Sequence, residues 1–145
     1  MEVYHTSSPE ETGALAGRIA PTLNRGEVLI LSGELGTGKT TFVKGLADGL
    51  GLTGLVRSPT FTVVNIYRGP LTLYHIDLYR IESGGELDDI GIDTYLFCGD
   101  GITVVEWGEK VEEALTDRYL SVRFFHDNGD RRRIEIEWTE PPGKR

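Results

Sequence analysis

The sequence predicts an α/β fold: a mixed, mainly parallel sheet with flanking helices and an antiparallel hairpin at its C-terminal end. Three observations carry this. Val28-Leu29-Ile30-Leu31 is a continuous apolar run, the pattern of a strand covered on both faces, and a glycine-rich loop and a helical apolar pattern follow it at once. Ile102-Thr103-Val104-Val105 is a second buried strand of the same kind, ending on Glu106. Tyr119 to His126 and Arg131 to Trp138 flank Asp127-Asn128-Gly129-Asp130, whose Asn-Gly is the strongest short hairpin signal.

The elements follow in order. Ser8-Pro9-Glu10-Glu11 combines a capping serine, a proline at the first helical position and a glutamate three residues after the serine, which together open a helix. Leu15, Ile19 and Leu23 then form one apolar stripe on a helix of about four turns, ending near Asn24-Arg25-Gly26. After the strand at 28–31 and the loop, Phe42, Val43, Leu46, Ala47 and Leu50 keep helical spacing from Thr40 to Leu50. Phe61 to Tyr67 and Leu71 to Ile76 are strand-like and joined by Arg68-Gly69-Pro70, a second hairpin. Glu82 to Asp100 is polar with short helical stretches, and a short helix is expected near Glu109 to Leu115. Pro141 to Arg145 belongs to a frayed, disordered tail from about residue 140.

At 145 residues the chain suits one domain spanning 1–145, too short for a nucleotide domain with a separate substrate domain. No apolar stretch approaches the roughly 18 residues of a membrane span. The N-terminus lacks a signal-peptide pattern and the single Cys98 cannot form an internal disulfide, which together favour a cytoplasmic, soluble protein. A net charge of −8 works against binding a nucleic-acid backbone, so tight direct nucleic-acid binding is not expected. The one basic cluster, Arg131-Arg132-Arg133, alternates between strand faces and reads as a solvated hairpin. His5, His75 and His126 lack mutual ligand spacing, so no structural transition-metal site is expected, and a packed strand histidine is the plainer reading of His75.

Gly33-Glu34-Leu35-Gly36-Thr37-Gly38-Lys39-Thr40-Thr41 carries the chemistry, with the spacing of a P-loop at the junction of strand and helix. Backbone N–H groups in a tight glycine loop at a helix N-terminus meet a phosphate chain with little steric obstruction. Lys39 would reach the outer phosphates, Thr40 would ligate Mg²⁺ bridging two of them, and Thr41 supports the helix start. A lysine at a helix entrance opposes the helix dipole unless an anion is present. Hydrolysis also needs carboxylates at strand ends beside the loop. Glu106 fits as the Mg²⁺ carboxylate, and Asp77, taken alone, serves equally as a site residue or a turn residue. The absence of any Asn/Thr-Lys-x-Asp sequence argues against guanine, while Asp88-Asp89-Ile90-Gly91 does not follow an apolar strand and is discounted.

In order, these motifs resemble the TsaE (YjeE) family of small bacterial ATPases required for the threonylcarbamoyl modification of tRNA adenosine. The resemblance spans roughly residues 7 to 107 and adds Ser58-Pro59-Thr60-Phe61, His75-Ile76-Asp77-Leu78-Tyr79-Arg80, Glu86 with Asp89-Ile90-Gly91, and Val105-Glu106-Trp107 to the glycine loop. It implies a P-loop NTPase-like domain that binds ATP as substrate with Mg²⁺, with Lys39 and Thr40 at the phosphates, Glu106 at the metal and Asp77 essential for hydrolysis. It also implies switch-like residues Ser58, Thr60, His75 and Arg80, with Thr60 sensing the γ-phosphate and Arg80 steadying the His75-to-Arg80 segment or contacting a partner. Thr12 matches a position near the nucleotide. The implied partners are TsaD and TsaB, whose complex the ATPase would reset. Thr37 departs from the family's usual alanine at a position contributing mainly its backbone. A small-molecule P-loop kinase and a nucleotide-binding module without turnover are the competing readings; the kinase lacks an evident lid and acceptor pocket at this length.

Overall fold

The computed structural model describes residues 1–34, 36–52, 54–57, 64–79 and 91–144. Eight strands occur among them: β1 (Glu2–Thr6), β2 (Val28–Gly33), β3 (Gly54–Arg57), β4 (Val64–Arg68), β5 (Thr72–Asp77), β6 (Gly101–Glu106), β7 (Tyr119–Asn128) and β8 (Arg131–Thr139). The α-helices are α1 (Pro9–Ile19), α2 (Lys39–Gly49) and the short α3 (Ile92–Tyr95). The strands form one sheet in the order β1-β8-β7-β2-β6-β5-β4-β3. Its centre, β7-β2-β6-β5, is parallel, and antiparallel pairs extend it on both sides. The hairpin expected at the C-terminal end is therefore part of the sheet, with β7 paired directly to β2.

Ser8 caps α1 as its sequence predicts: its side chain accepts a bond from the Glu11 amide, and Pro9 fills the first turn. The helix is shorter than its apolar stripe suggested. It ends at Ile19 and tightens into a 3-10 turn at Ala20–Thr22, because Pro21 has no N–H to continue the i→i−4 ladder. The helix expected near Glu109 to Leu115 is likewise a 3-10 segment, Gly108–Ala114. β1 and β3 were not anticipated. At the chain end, Pro141 is buried and Pro142–Lys144 form a 3-10 turn where fraying was expected. No helix among the described residues is long and apolar enough to cross a membrane.

Strand alternation divides the core in two. Leu29 and Leu31 of β2, Leu73 of β5, Ile102 and Val104 of β6, and Leu120, Val122 and Phe124 of β7 pack against Leu15 and Ala16 of α1 and Phe42, Val43 and Leu46 of α2. Each fully buried leucine or phenylalanine there contributes about 1.5–3 kcal/mol, and Phe42 meets Phe124 edge to face at 5.5 Å between centroids. Val28, Ile30, Ile76 and Val105 face the opposite way, beneath Ile92, Leu96, Val111 and Leu115. Extending the first alternation along β5 and β6 puts His75, Asp77 and Glu106 on the helix side. The carboxyl ends of three parallel strands thus gather beside α2, the position at which open α/β sheets take ligands.

Candidate functional site

A cavity of about 350 Å³ opens at these strand ends. Its floor is the glycine loop. Gly36 and Gly38 have φ of 77° and 102°, left-handed values that a residue with a Cβ adopts only at a cost, and Gly38 is the N-cap of α2. Having no side chain to cap the helix, Gly38 leaves the first-turn N–H groups facing the cavity. Thr37 does more than lend its backbone: its buried hydroxyl donates to the Glu34 carbonyl at 2.6 Å and closes the loop on itself. Glu34 is exposed, Thr41 half-buried on the cavity wall, and Leu35 lies outside the described residues.

Lys39 is only 4% exposed. Its ammonium donates to the Gly33 carbonyl and lies under the Trp107 ring, 3.6 Å from the centroid. Trp107 reaches that place through a left-handed backbone, φ 63°, rare for a bulky residue. Its amide donates to the Leu31 carbonyl at 3.1 Å, which holds the turn beside the loop. Tyr79, half-exposed, packs against Trp107 with the rings tilted by 45° and centroids 5.2 Å apart.

Across the floor, the Thr40 hydroxyl lies 3.3 and 3.4 Å from the two carboxylate oxygens of Glu106. Glu106 is buried, and its Oε2 is 2.5 Å from His75 Nε2. Asp77 is the register partner of Glu106 on the parallel neighbour strand and lines the same cavity. Its Oδ1 accepts from the Tyr79 amide at 3.0 Å, fixing the carboxylate at the strand end. Thr12 of α1 is buried on the cavity wall, its hydroxyl paired with that of Thr6 at 2.8 Å. The structure thus brings together Thr12, Gly36, Thr37, Gly38, Lys39, Thr40, Thr41, Asp77 and Glu106. Ser58, Thr60 and Arg80, expected to be switch-like, lie outside the described residues.

The donors fit Mg²⁺. A hydroxyl and a carboxylate are hard oxygen ligands, and no cluster of three or more His, Cys, Asp or Glu suited to a metal occurs among the described residues. Thr40 and Glu106 could hold such an ion as two hard-oxygen donors, alongside waters and phosphate oxygens.

Ser8, Pro9, Tyr79, Trp107, Asp130 and Arg132 also line this cavity and were not among the site residues expected from the sequence; Arg132 is the most informative of them. Its guanidinium donates to the Gly36 carbonyl at 3.0 Å and to the Gly129 carbonyl at 2.9 Å. The arginine triplet is therefore not uniformly solvated. Ile134 and Ile136 belong to the helix-side core, so the same alternation carries Arg132 to that face and could have marked it.

The chain matches the family model described as "Threonylcarbamoyl adenosine biosynthesis protein TsaE" over residues 6–134. It is 46% identical over 132 residues to the tRNA threonylcarbamoyladenosine biosynthesis protein TsaE of Bacillus subtilis, covering 90% of this chain and 82% of that one. It is 44% identical over 110 residues to the protein of the same description from Treponema pallidum, covering 76% and 78% respectively. Among solved structures, the crystal structure of Bacillus subtilis YdiB is similar with a TM-score of 0.78 and 38% identity, over 99% of this chain and 87% of that one.

Proposed function

From the premise that this chain belongs to the TsaE family, we propose that it is a Mg²⁺-dependent ATPase that supports tRNA threonylcarbamoyladenosine formation by acting on a TsaB–TsaD partner complex. The role in threonylcarbamoyladenosine biosynthesis comes with the family. The ATPase reading rests chiefly on one observation: Lys39, Thr40, Asp77 and Glu106 converge on a single cavity whose floor is a glycine loop at a helix N-terminus.

In this reading the N–H groups of residues 36 to 41 take the phosphate chain. Lys39 leaves the Gly33 carbonyl for the outer phosphates, exchanging a neutral acceptor for an anionic one. Thr40 and Glu106 would hold Mg²⁺, which would supply neutralisation of the phosphate charge when bound. Asp77, its carboxylate fixed by the Tyr79 amide, orients the attacking water. Trp107, Tyr79 and Arg132 line the same cavity beside these groups.

The test combines calorimetry with a turnover assay. Lys39→Ala should weaken ATP binding by tenfold or more, whereas Asp77→Ala should bind ATP and fail to hydrolyse it. Hydrolysis should be slow for the isolated protein and change on mixing with TsaB and TsaD. A fully active Asp77→Ala protein removes that residue from the chemistry. Unchanged hydrolysis and no binding on mixing would overturn the partner assignment, and phosphate transfer to a metabolite without hydrolysis would identify a kinase instead.

A further inference from the structure

His75 has no part in the mechanism above, although it is buried against one of its principal groups. It is 5% exposed on β5, and its Nε2 lies 2.5 Å from Glu106 Oε2. It is absent from the cavity wall, which is formed at this point by Thr40, Asp77 and Glu106. The imidazole contacts the Glu106 carboxylate from outside the lining of the cavity, so its contact with the site is made through that carboxylate.

We propose that His75 is a positioning residue for Glu106, fixing the orientation of the carboxylate that meets Mg²⁺. A glutamate side chain has three rotatable bonds, the last of them broad, so burial alone does not set the plane of the Glu106 carboxylate. Here the tip is held from two sides, by the imidazole at Oε2 and by the Thr40 hydroxyl across both oxygens. A hydroxyl can offer a lone pair to a metal while still donating its proton, so with Mg²⁺ bound the Glu106 carboxylate would be held by Thr40 on the metal side and by His75 behind it. The parallel register makes the geometry reproducible: Asp77 pairs with Glu106, and His75 precedes Asp77 by two residues on the same strand face. A carboxylate bonded to a second residue is the arrangement by which proteins orient metal ligands, and removing the second residue typically lowers metal affinity 10–100-fold.

The inference rests on the proposed Mg²⁺-nucleotide site, and its test separates the two. In the metal-free protein, nitrogen NMR should find His75 carrying a proton on Nε2, with a resonance that shifts in Glu106→Gln. This arm needs no nucleotide. In calorimetry, His75→Leu should bind ATP as the parent does in chelator, but need at least tenfold more Mg²⁺ to reach the tight state. His75→Gln, whose amide can donate to Oε2, should recover most of that loss. Thermal midpoints close to the parent's would show both variants folded. Parental Mg²⁺ dependence in His75→Leu overturns the proposal, as does failure of His75→Gln to improve on leucine. If the parent shows no Mg²⁺-dependent binding, the metal-site reading falls, whatever NMR reports of the His75–Glu106 bond.

Discussion

Arg132 joins two parts of the chain that sequence separation keeps far apart: it bonds Gly36 in the glycine loop and Gly129 in its own turn. Replacing it with alanine should lower ATP affinity about 3–10-fold, or about 0.6–1.4 kcal/mol, and lysine should not restore the loss because it lacks the planar fork. Calorimetry on both variants checks this. Lys39, Thr40 and Glu106 were legible because their spacing to the glycines or to a strand end is local. The contacts of Arg132 with the Gly36 carbonyl and of His75 with the Glu106 carboxylate were not, because each joins residues distant in the sequence. Tyr74 gives a separate prediction. Its hydroxyl donates to Asp100 at 2.8 Å, and burial first, then that bond, pushes its pKa from 10.0 up to about 12. A phenol whose proton is held more tightly in the folded state stabilises fully below pH 10 and loses that contribution as pH rises through about 12. Urea midpoints measured from pH 9 upward should therefore fall more steeply for the parent than for Tyr74→Phe.

Helices α1 and α2 cross at glycines, and the crossing sets how near Thr12 stands to the loop. A Cβ on Gly45 would lie 2.8 Å from Gly13 Cα and 2.9 Å from Ala16 Cβ, whereas a Cβ on Gly13 meets nothing within 4 Å. Gly45→Ala should cost about 1–3 kcal/mol by overpacking, more than the roughly 1 kcal/mol that alanine adds in helix propensity. It should also weaken ATP binding by displacing α1. Gly13→Ala should be neutral or stabilise by up to about 1 kcal/mol; denaturant midpoints and calorimetry on the pair decide. The elements read from the sequence were those with strong internal patterns: β2, α2, β6 and the β7–β8 hairpin. β1 and β3 lacked such a signal because each is an edge strand, held by one neighbour that only the folded chain supplies. The stripe in α1 outran the helix because Leu23 still packs into the core after Pro21 has ended the α-helical ladder.

For the whole molecule, the cavity spans the fold: Ser8 and Pro9 line it from the first helix, Glu106 from the middle of the sheet, and Asp130 and Arg132 from the last hairpin. A ligand bound there resists the separation of all three. ATP with Mg²⁺ at a hundred times its dissociation constant should raise unfolding stability by about 2.7 kcal/mol, with a smaller rise at the same ATP concentration in chelator and little rise in Lys39→Ala. Chemical denaturation with and without ligand measures this. The parallel centre has a further consequence for how such a chain is made. β2, which leads into the glycine loop, is synthesised before both strands that flank it, β6 and β7, while β1 waits for β8. On a translating ribosome the first half therefore emerges with its most apolar strand uncovered, the condition in which nascent chains attract chaperones. Nucleotide cannot meet the complete cavity until the last hairpin has left the exit tunnel.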